Sequence, residues 1–203
     1  MIVLDLNKGM VLDLTKTNDL KKVEVGVNWG MIQKKSSSFL GSLFGYPSKE
    51  SISVDLDLSL ILMKDNVVNK TVYYGHRYEP GIQLSEDDRS GDSTKNNDDN
   101  ETLLIEFSKI DPEINKMAIV LVSFSGIPFD DIPYAEAKVY NVSSVKEQMS
   151  VTNLVLDDTY KGKKSMIFGF FEKNDNGWIY RAVCESTQYN SLTLLSKSLE
   201  KGI

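Results

Sequence analysis

Carboxylates are the side chains of this sequence whose spacing most clearly points to chemistry. Asp55 and Asp57 alternate with apolar residues in the run Val54–Leu58, so a β-strand would place both on one face, about 7 Å apart. A second group lies between Glu79 and Glu101, where eight acidic and two basic residues give a local charge of −6. Carboxylates at this density repel one another, so the segment is either a solvated loop or a cation site.

The residue types of the acidic loop, 85–101, match the requirements of calcium. Ca²⁺ takes about six to eight hard oxygen ligands in a flexible geometry, and the loop offers them in Asp87–Asp92 and Asp98–Glu101. Zinc and copper would need thiolates or several imidazoles, whereas the chain has one cysteine and one histidine. An EF-hand register starting at Asp88 places Ser93 at the glycine position, between strand-like flanks, so an EF-hand is a poor match.

Motifs for catalysis have little support in the sequence. His76 would have to serve any Ser–His–Asp arrangement, and no Gly-x-Ser-x-Gly elbow accompanies it. The chain has neither a phosphate-binding glycine loop nor a dinucleotide fingerprint. Cys184 follows an apolar strand and is expected to be a core thiol. Paired acids occur in glycosidases, but there they line clefts with aromatic walls, which the acidic loop lacks. We therefore predict a protein that is not an enzyme.

The composition excludes several classes of protein. The 203 residues include 29 acidic and 23 basic ones, a balance that argues against binding to nucleic-acid phosphates. A single cysteine excludes an intramolecular disulfide and suits a reducing compartment. No apolar run approaches the ~20 residues of a membrane span, and Asp5 interrupts what would be a signal peptide. The sequence thus predicts a soluble, cytoplasmic protein.

The elements that must position these carboxylates are mostly strands. Alternation of apolar and polar residues predicts strands over 9–14, 22–29, 51–62, 71–74, 102–107, 117–124, 135–142, 149–156, 165–172 and 178–183. Asn176-Gly177, between the last two, predicts a hairpin with a type I′ turn. A single helical turn is expected at 111–116 and a longer helix at 191–201. The pattern is typical of an all-β fold, an antiparallel β-sandwich forming one domain over residues 1–203 with one or two short helices.

The segment 34–50 has the composition of a flexible Ser/Gly-rich insertion, yet it contains large apolar side chains. These are Phe39, Leu40, Leu43, Phe44 and Tyr46. One interpretation is a loop that packs its aromatic residues under the sandwich. The other is an adhesive tip for a partner or a membrane surface.

Several short motifs follow one another along the chain. They are Leu6–Gly9, Val25–Gly30, Val54–Leu58, Val72–Tyr74, Asp87–Asp92, Asp99–Glu101, Phe107–Ile110 and Asn176–Trp178 with Arg181. In this order and spacing they resemble the TerD family of tellurium-resistance and stress-response proteins, most closely its TerZ-like branch, which has a Ser/Gly/Phe insertion like 34–50. The chain departs from the family pattern at Leu84-Ser-Glu86, where members usually have His-Ser/Gly-Gly.

The resemblance implies a β-sandwich that binds calcium in loops at one end, commonly as two ions, and has no known enzymatic activity. It also implies other proteins of a stress-response complex as partners, some of them membrane-associated, and a cytoplasmic location, including the inner face of the membrane. Carried over to matching positions, the implied metal ligands are Asp55, Asp57, Asp87, Asp88, Asp92, Asp99, Asn100 and Glu101.

Three functions therefore follow as hypotheses. The first is a calcium-binding protein in which the ion orders the acidic loop for partner or assembly interactions. The second is a calcium-gated docking module whose segment 34–50 inserts into a membrane surface or binds a protein. The third, a metal-assisted hydrolase, would need an open coordination position and a base.

Overall fold

The described part of the chain, in a computed structural model, comprises residues 11–13, 21–34, 50–144, 146–153 and 160–202. Its strands are β1 (Val11–Asp13), β2 (Lys22–Trp29), β3 (Ile32–Gln33), β4 (Ser51–Ile52), β5 (Leu56–Lys64), β6 (Val67–Val72), β7 (Tyr78–Glu79), β8 (Ile82–Leu84), β9 (Glu101–Glu106), β10 (Lys116–Ser123), β11 (Ala135–Asn141), β12 (Glu147–Asn153), β13 (Ser165–Asn174) and β14 (Gly177–Thr187). One α-helix, α1, spans Leu192–Leu199, and short 3₁₀ turns occupy Phe107–Lys109 and Phe129–Asp131.

These strands form two six-stranded antiparallel sheets and a small ribbon, which confirms the predicted all-β sandwich. The first sheet has the order β1-β14-β13-β10-β5-β6, and the second has the order β12-β11-β2-β9-β8-β7. The ribbon pairs β3 with β4. It leads into the predicted insertion, of which the structure describes only Lys34 and Glu50, joined by a backbone hydrogen bond of 2.8 Å. The five large apolar residues of that insertion lie outside the described residues.

Alternation along the strands decides which side chains meet in the core. On β5, Leu58 and Leu60 face the second sheet and are at most 2% exposed, whereas Asp57 and Ser59 point to the opposite face. On β2, Val25, Val27 and Trp29 enter the same core, so the residues between them face outward. The buried inner faces hold the sheets together through the hydrophobic effect.

Helix α1 covers part of the outer face of the first sheet. Leu195 and Leu199 pack against Ile61, Val120 and Phe170 in a second apolar cluster. The N-cap side chain Ser191 accepts the backbone N–H of Leu194, so the helix begins where the sequence predicts. The described ranges contain no helical segment with the length and hydrophobicity of a membrane span.

Three local predictions differ from the structure. Within 111–116, residues 111–114 form a turn closed by the Ile114 N–H donating to Asp111 O at 2.9 Å, and Lys116 already belongs to β10. The predicted strand 51–62 is two strands, because the Val54 N–H donates to Ser90 O and the Val54 carbonyl accepts Trp29 Nε1. The β13–β14 hairpin is confirmed, but Gly177 pairs with Asn174, so its turn is centred one residue earlier than predicted. Local patterns identify such elements, whereas tertiary contacts set their limits.

Candidate metal centre

Three acidic side chains meet at one end of the sandwich, where β5 begins. Asp57 belongs to this strand, Asp55 directly precedes it, and Asp87 comes from the acidic loop. One carboxylate oxygen of each lies within 4.8 Å of the others. They line a cavity of about 80 Å³ together with Arg89, Tyr74 and Phe124. We call these three carboxylates the acidic triad. The predicted convergence of strand acids and loop acids is therefore present for these three residues.

The triad is electrostatically strained in the absence of a cation. Burial, followed by repulsion from Asp55 and Asp87, raises the pKa of Asp57 to about 7. Burial and the neighbouring carboxylates also raise the pKa of Asp55. Asp55 Oδ1 is buried and has no hydrogen-bond partner among the described residues. Arg89 Nε, 3.7 Å from Asp87 and 4.0 Å from Asp55, supplies a nearby positive charge, but its side chain is 73% exposed.

Glu101 lies beside the triad at the start of β9. Its residue is only 2% exposed, and its carboxylate accepts the Leu58 N–H at 2.8 Å and the Asp88 N–H at 3.3 Å. Burial, reinforced by the charges of Asp57 and Asp87 and opposed by these two hydrogen bonds, raises the pKa of Glu101 to about 8. Glu101 thus connects the second sheet to β5 and adds a fourth carboxyl group to this end of the molecule.

Asp88 holds the first turn of the acidic loop. Its Oδ1 accepts the backbone N–H groups of Ser90 and Gly91 at 2.9 and 3.1 Å, and its Oδ2 accepts Asn100 Nδ2 at 2.8 Å. Burial alone would raise the pKa of Asp88, but these hydrogen bonds outweigh it and lower the value. Gly91 adopts a φ of +70°, and a Cβ there would collide with the Trp29 ring, so the turn requires glycine.

The rest of the loop is fastened to the outer face of the second sheet through Asn28. Asn28 is fully buried, and its Nδ2 contacts oxygens of Asp92, Asn96, Asp98 and Asn100. Its Oδ1 has no partner among the described residues. The sequence motif Val25–Gly30 contains Asn28, but nothing local in that motif shows that the acidic loop folds over it.

Asp99 points away from the triad, towards β11. Its Oδ1 forms an ion pair of 2.9 Å with Lys138 Nζ, and the two side chains are 3% and 7% exposed. Lys146 Nζ lies 3.9 Å from the other oxygen. The carboxylate fits over Gly26, where a Cβ would collide with it. In the structure, Asp99 therefore anchors the loop to the second sheet.

The eight predicted ligands thus fall into three groups. Asp55, Asp57 and Asp87 form the triad, with Glu101 next to them. Asp88, Asp92 and Asn100 hydrogen-bond within the loop and to Asn28, and Asp99 is paired with lysine. A metal-binding role for each of the eight stays a prediction. The aromatic residues of the cavity, Tyr74 and Phe124, were not predicted, because they lie just after β6 and β10 and share no motif with the acids.

Comparisons with known proteins agree with the family resemblance of the motifs. A family model for the TerD domain matches residues 2–198. Tellurium resistance protein TerX of Serratia marcescens is 24% identical over 92% of this chain and 94% of that protein. Tellurium resistance protein TerZ of the same organism is 22% identical, over 89% of each chain. The solved structure of a telluride resistance protein (TerD) homologue from Streptomyces coelicolor A3(2) shares the fold, with a TM-score of 0.65 and 16% identity over 87% of this chain and 95% of that one.

Proposed function

The chain belongs to the TerD-domain family, and on this premise we propose that it is a non-enzymatic calcium-binding protein of the tellurite-resistance and stress-response type. In this proposal calcium orders the acidic loop for interactions with partner proteins in the cytoplasm. The observation that carries it is the convergence of three carboxylates within 4.8 Å, one of them with a buried oxygen that has no partner among the described residues.

The donor set of the triad suits a hard cation. Asp55, Asp57 and Asp87 offer only carboxylate oxygens, the ligand type that calcium prefers. The sole thiol, Cys184, is buried elsewhere in the core, and the sole imidazole, His76, contacts Glu79 at 2.9 Å. We propose that the triad holds the first ion and that Glu101 supports it from the side. When bound, calcium supplies the positive charge that offsets the repulsion between these carboxylates.

A second ion is supported by the oxygen atoms around Asn28. Oxygens of Asp92, Asn96, Asp98 and Asn100 all lie within 3.4 Å of Asn28 Nδ2. The Oδ1 of the same Asn28 amide is buried and has no partner among the described residues, so a fifth oxygen lies beside this group. Carboxylate, amide and backbone oxygens together are a typical calcium shell.

The two proposed ions would fasten the acidic loop at both of its attachments. One attachment is to β5, through the triad, and the other is to the outer face of β2, through Asn28. Neutralisation of the loop removes the repulsion that opposes its packing, so the loop presents a defined surface only in the calcium-bound protein. A partner protein that recognises this surface would then bind in a calcium-dependent manner.

Isothermal titration calorimetry of calcium into chelator-treated protein tests the proposal. We expect saturable binding of two ions, at least tenfold weaker binding at the first site in Asp55→Asn, and loss of the second ion in Asp92→Asn. Asp175→Asn, an exposed turn residue, removes one charge elsewhere and should leave binding unchanged. Absence of calcium uptake at millimolar concentration by the unmodified protein would overturn the proposal.

A further inference from the structure

A second, larger cavity adjoins the acidic triad on the outer face of the first sheet. It is a groove of about 520 Å³, a volume typical of sites for small organic molecules. Its floor includes Asp57 and Ser59 of β5 and Val122 of β10, which lies directly opposite Asp57. Its wall is formed by residues 190–193 and Ser196, at the beginning of α1.

The groove exists because α1 covers only part of the sheet. Leu195 and Leu199 pack over Ile61 and its apolar neighbours, whereas the strands continue beyond the first turn of the helix. In that uncovered part the outward-facing residues of β5 change from apolar to polar, with Ser59 followed at the strand end by Asp57. The sequence therefore places polar side chains where the helix does not bury the sheet.

The floor of the groove contains a hydroxyl group, that of Ser59, without a hydrogen-bond partner among the described residues. The residue is 1% exposed, and its Oγ has no hydrogen-bond partner among the described residues. Buried hydroxyl groups without a partner are costly and are normally satisfied by another polar group. Ser59 lines the groove, so a ligand hydroxyl there can supply that partner once rotation about the Cα–Cβ bond turns the buried Oγ towards the groove.

The rest of the lining indicates which kind of ligand fits. The described residues that line the groove include no lysine or arginine, and Asp57 contributes a carboxyl group, so an anionic ligand has no counter-charge there. Hydroxyl groups are abundant: Ser59, Thr71, Tyr73, Ser191, Thr193 and Ser196. At the rim, Tyr74 and Phe124 are 45% and 60% exposed, with ring centres 5.9 Å apart. Their rings provide apolar faces beside polar groups.

From these observations we propose that the groove binds a neutral polyhydroxylated ligand, a mono- or disaccharide, without hydrolysing it. Sugar hydroxyls would bond to Ser59 Oγ and the Asp57 carboxyl group, and the apolar face of the sugar ring would pack on Phe124, the more exposed of the two rings. The aromatic side chains that the acidic loop itself lacks are supplied here by the turns that follow β6 and β10. This binding goes beyond the proposed calcium function and does not require the ion.

The first test is titration of the full chain with methyl β-glucoside, methyl β-galactoside, methyl α-mannoside and maltose, followed by ligand-observed NMR and calorimetry. Each titration is run once with calcium and once with chelator. Methyl β-glucuronide serves as the anionic match of the glucoside. We expect saturable binding of at least one neutral sugar in at least one condition and at least tenfold weaker binding of the glucuronide. Binding of none of the neutral sugars, or equal binding of the glucuronide, would overturn the proposal.

Two variants test whether the sugar binds in this groove. Ser59→Ala removes the buried hydroxyl, and Phe124→Ala removes an exposed ring, so each should weaken sugar binding about fivefold. Tyr78→Ala removes a ring that is 57% exposed and does not line the groove, and it should leave the affinity unchanged. Because Phe124 is exposed, its variant should fold even if Ser59→Ala does not. Unaltered sugar affinity in Phe124→Ala would refute the assignment.

Calcium uptake of Ser59→Ala separates this inference from the proposed function. Ser59 does not belong to the triad, so the variant should take up calcium as the unmodified protein does while it loses sugar affinity. Normal calcium binding with no sugar binding would reject the groove alone. Sugar binding without calcium uptake would reject the calcium proposal alone.

Discussion

Replacement of Asp57 by Asn should make the metal-free protein more stable and its response to calcium weaker. The side chain changes little in shape, but one of three clustered negative charges disappears. The new amide can donate a hydrogen bond to Asp55 or Asp87, which lie within 4.8 Å of the Asp57 carboxylate. In the presence of calcium the same change removes a proposed ligand.

The expected size follows from the geometry of the triad. Two unit charges 4.8 Å apart, the largest separation in the triad, repel by about 3.5 kcal/mol at an effective dielectric constant near 20. Exposure of Asp87 and the nearby Arg89 guanidinium screen this repulsion, so we expect a gain of about 1–2 kcal/mol in the free energy of unfolding. For a chain of this size that is a rise in Tm of about 2–8 °C.

Thermal unfolding at pH 8, with chelator and with calcium, measures both effects. At this pH the Asp57 carboxyl group, with a pKa of about 7, is largely ionised. Calcium at one hundred times its Kd should stabilise the unmodified protein by about 2.7 kcal/mol per site. The increment in Asp57→Asn should fall to about half of the increment in the unmodified protein, because the second proposed site is unchanged. The matched control Asp175→Asn should change stability by less than about 0.5 kcal/mol in either buffer.

Two results would refute this reasoning. A lower Tm of metal-free Asp57→Asn would show that the carboxylate makes a stabilising contact that outweighs repulsion in the triad. An undiminished calcium increment would show that Asp57 is not a ligand and that the ion binds elsewhere.

Three further predictions concern the same end of the molecule. The raised pKa values of Asp57 and Glu101, about 7 and about 8, mean that the folded protein holds protons that the unfolded chain releases near pH 4. Metal-free protein should therefore lose stability as the pH rises from 5 to 8, and a Tm that is constant over this range would contradict the assignment. Lys138→Met removes the nearer ion-pair partner of the buried Asp99 carboxylate and leaves only the half-exposed Lys146 at 3.9 Å, so it should cost about 3 kcal/mol in thermal or denaturant unfolding; a cost below about 1 kcal/mol would mean that the ion pair is not important for folding. Gly91→Ala should destabilise the protein by at least about 1 kcal/mol more than Gly162→Ala in urea unfolding, because both glycines have positive φ but only Gly91 faces a ring; equal costs would exclude the clash.

The fold could be predicted from the sequence because its strands carry local signals. Alternation of Leu56, Leu58 and Leu60 with polar residues fixes which face of β5 is buried, and the tertiary structure agrees with it. The break before β5 could not be predicted, since it depends on contacts of Val54 with Ser90 and Trp29, which are distant in the sequence.

The candidate site was predictable in part for the same reason. Charge density identified the acidic loop, and period-two spacing put Asp55 and Asp57 on one face. The pairing of Asp99 with Lys138, and the position of Asn28 under the loop, depend on how the loop crosses the second sheet. No pattern within the loop contains that information. The groove beside α1 likewise depends on where the helix stops covering the sheet.

Asp57 lines both the small acidic cavity and the groove beside α1. Binding in one of these cavities is therefore thermodynamically coupled to binding in the other. A ligand that interacts with this carboxyl group in one cavity changes the free energy of binding in the other cavity. The coupling is reciprocal, so the factor by which one occupant alters the affinity for its neighbour equals the factor in the reverse direction. A single shared side chain is thus enough to couple ligand binding in the two adjacent cavities.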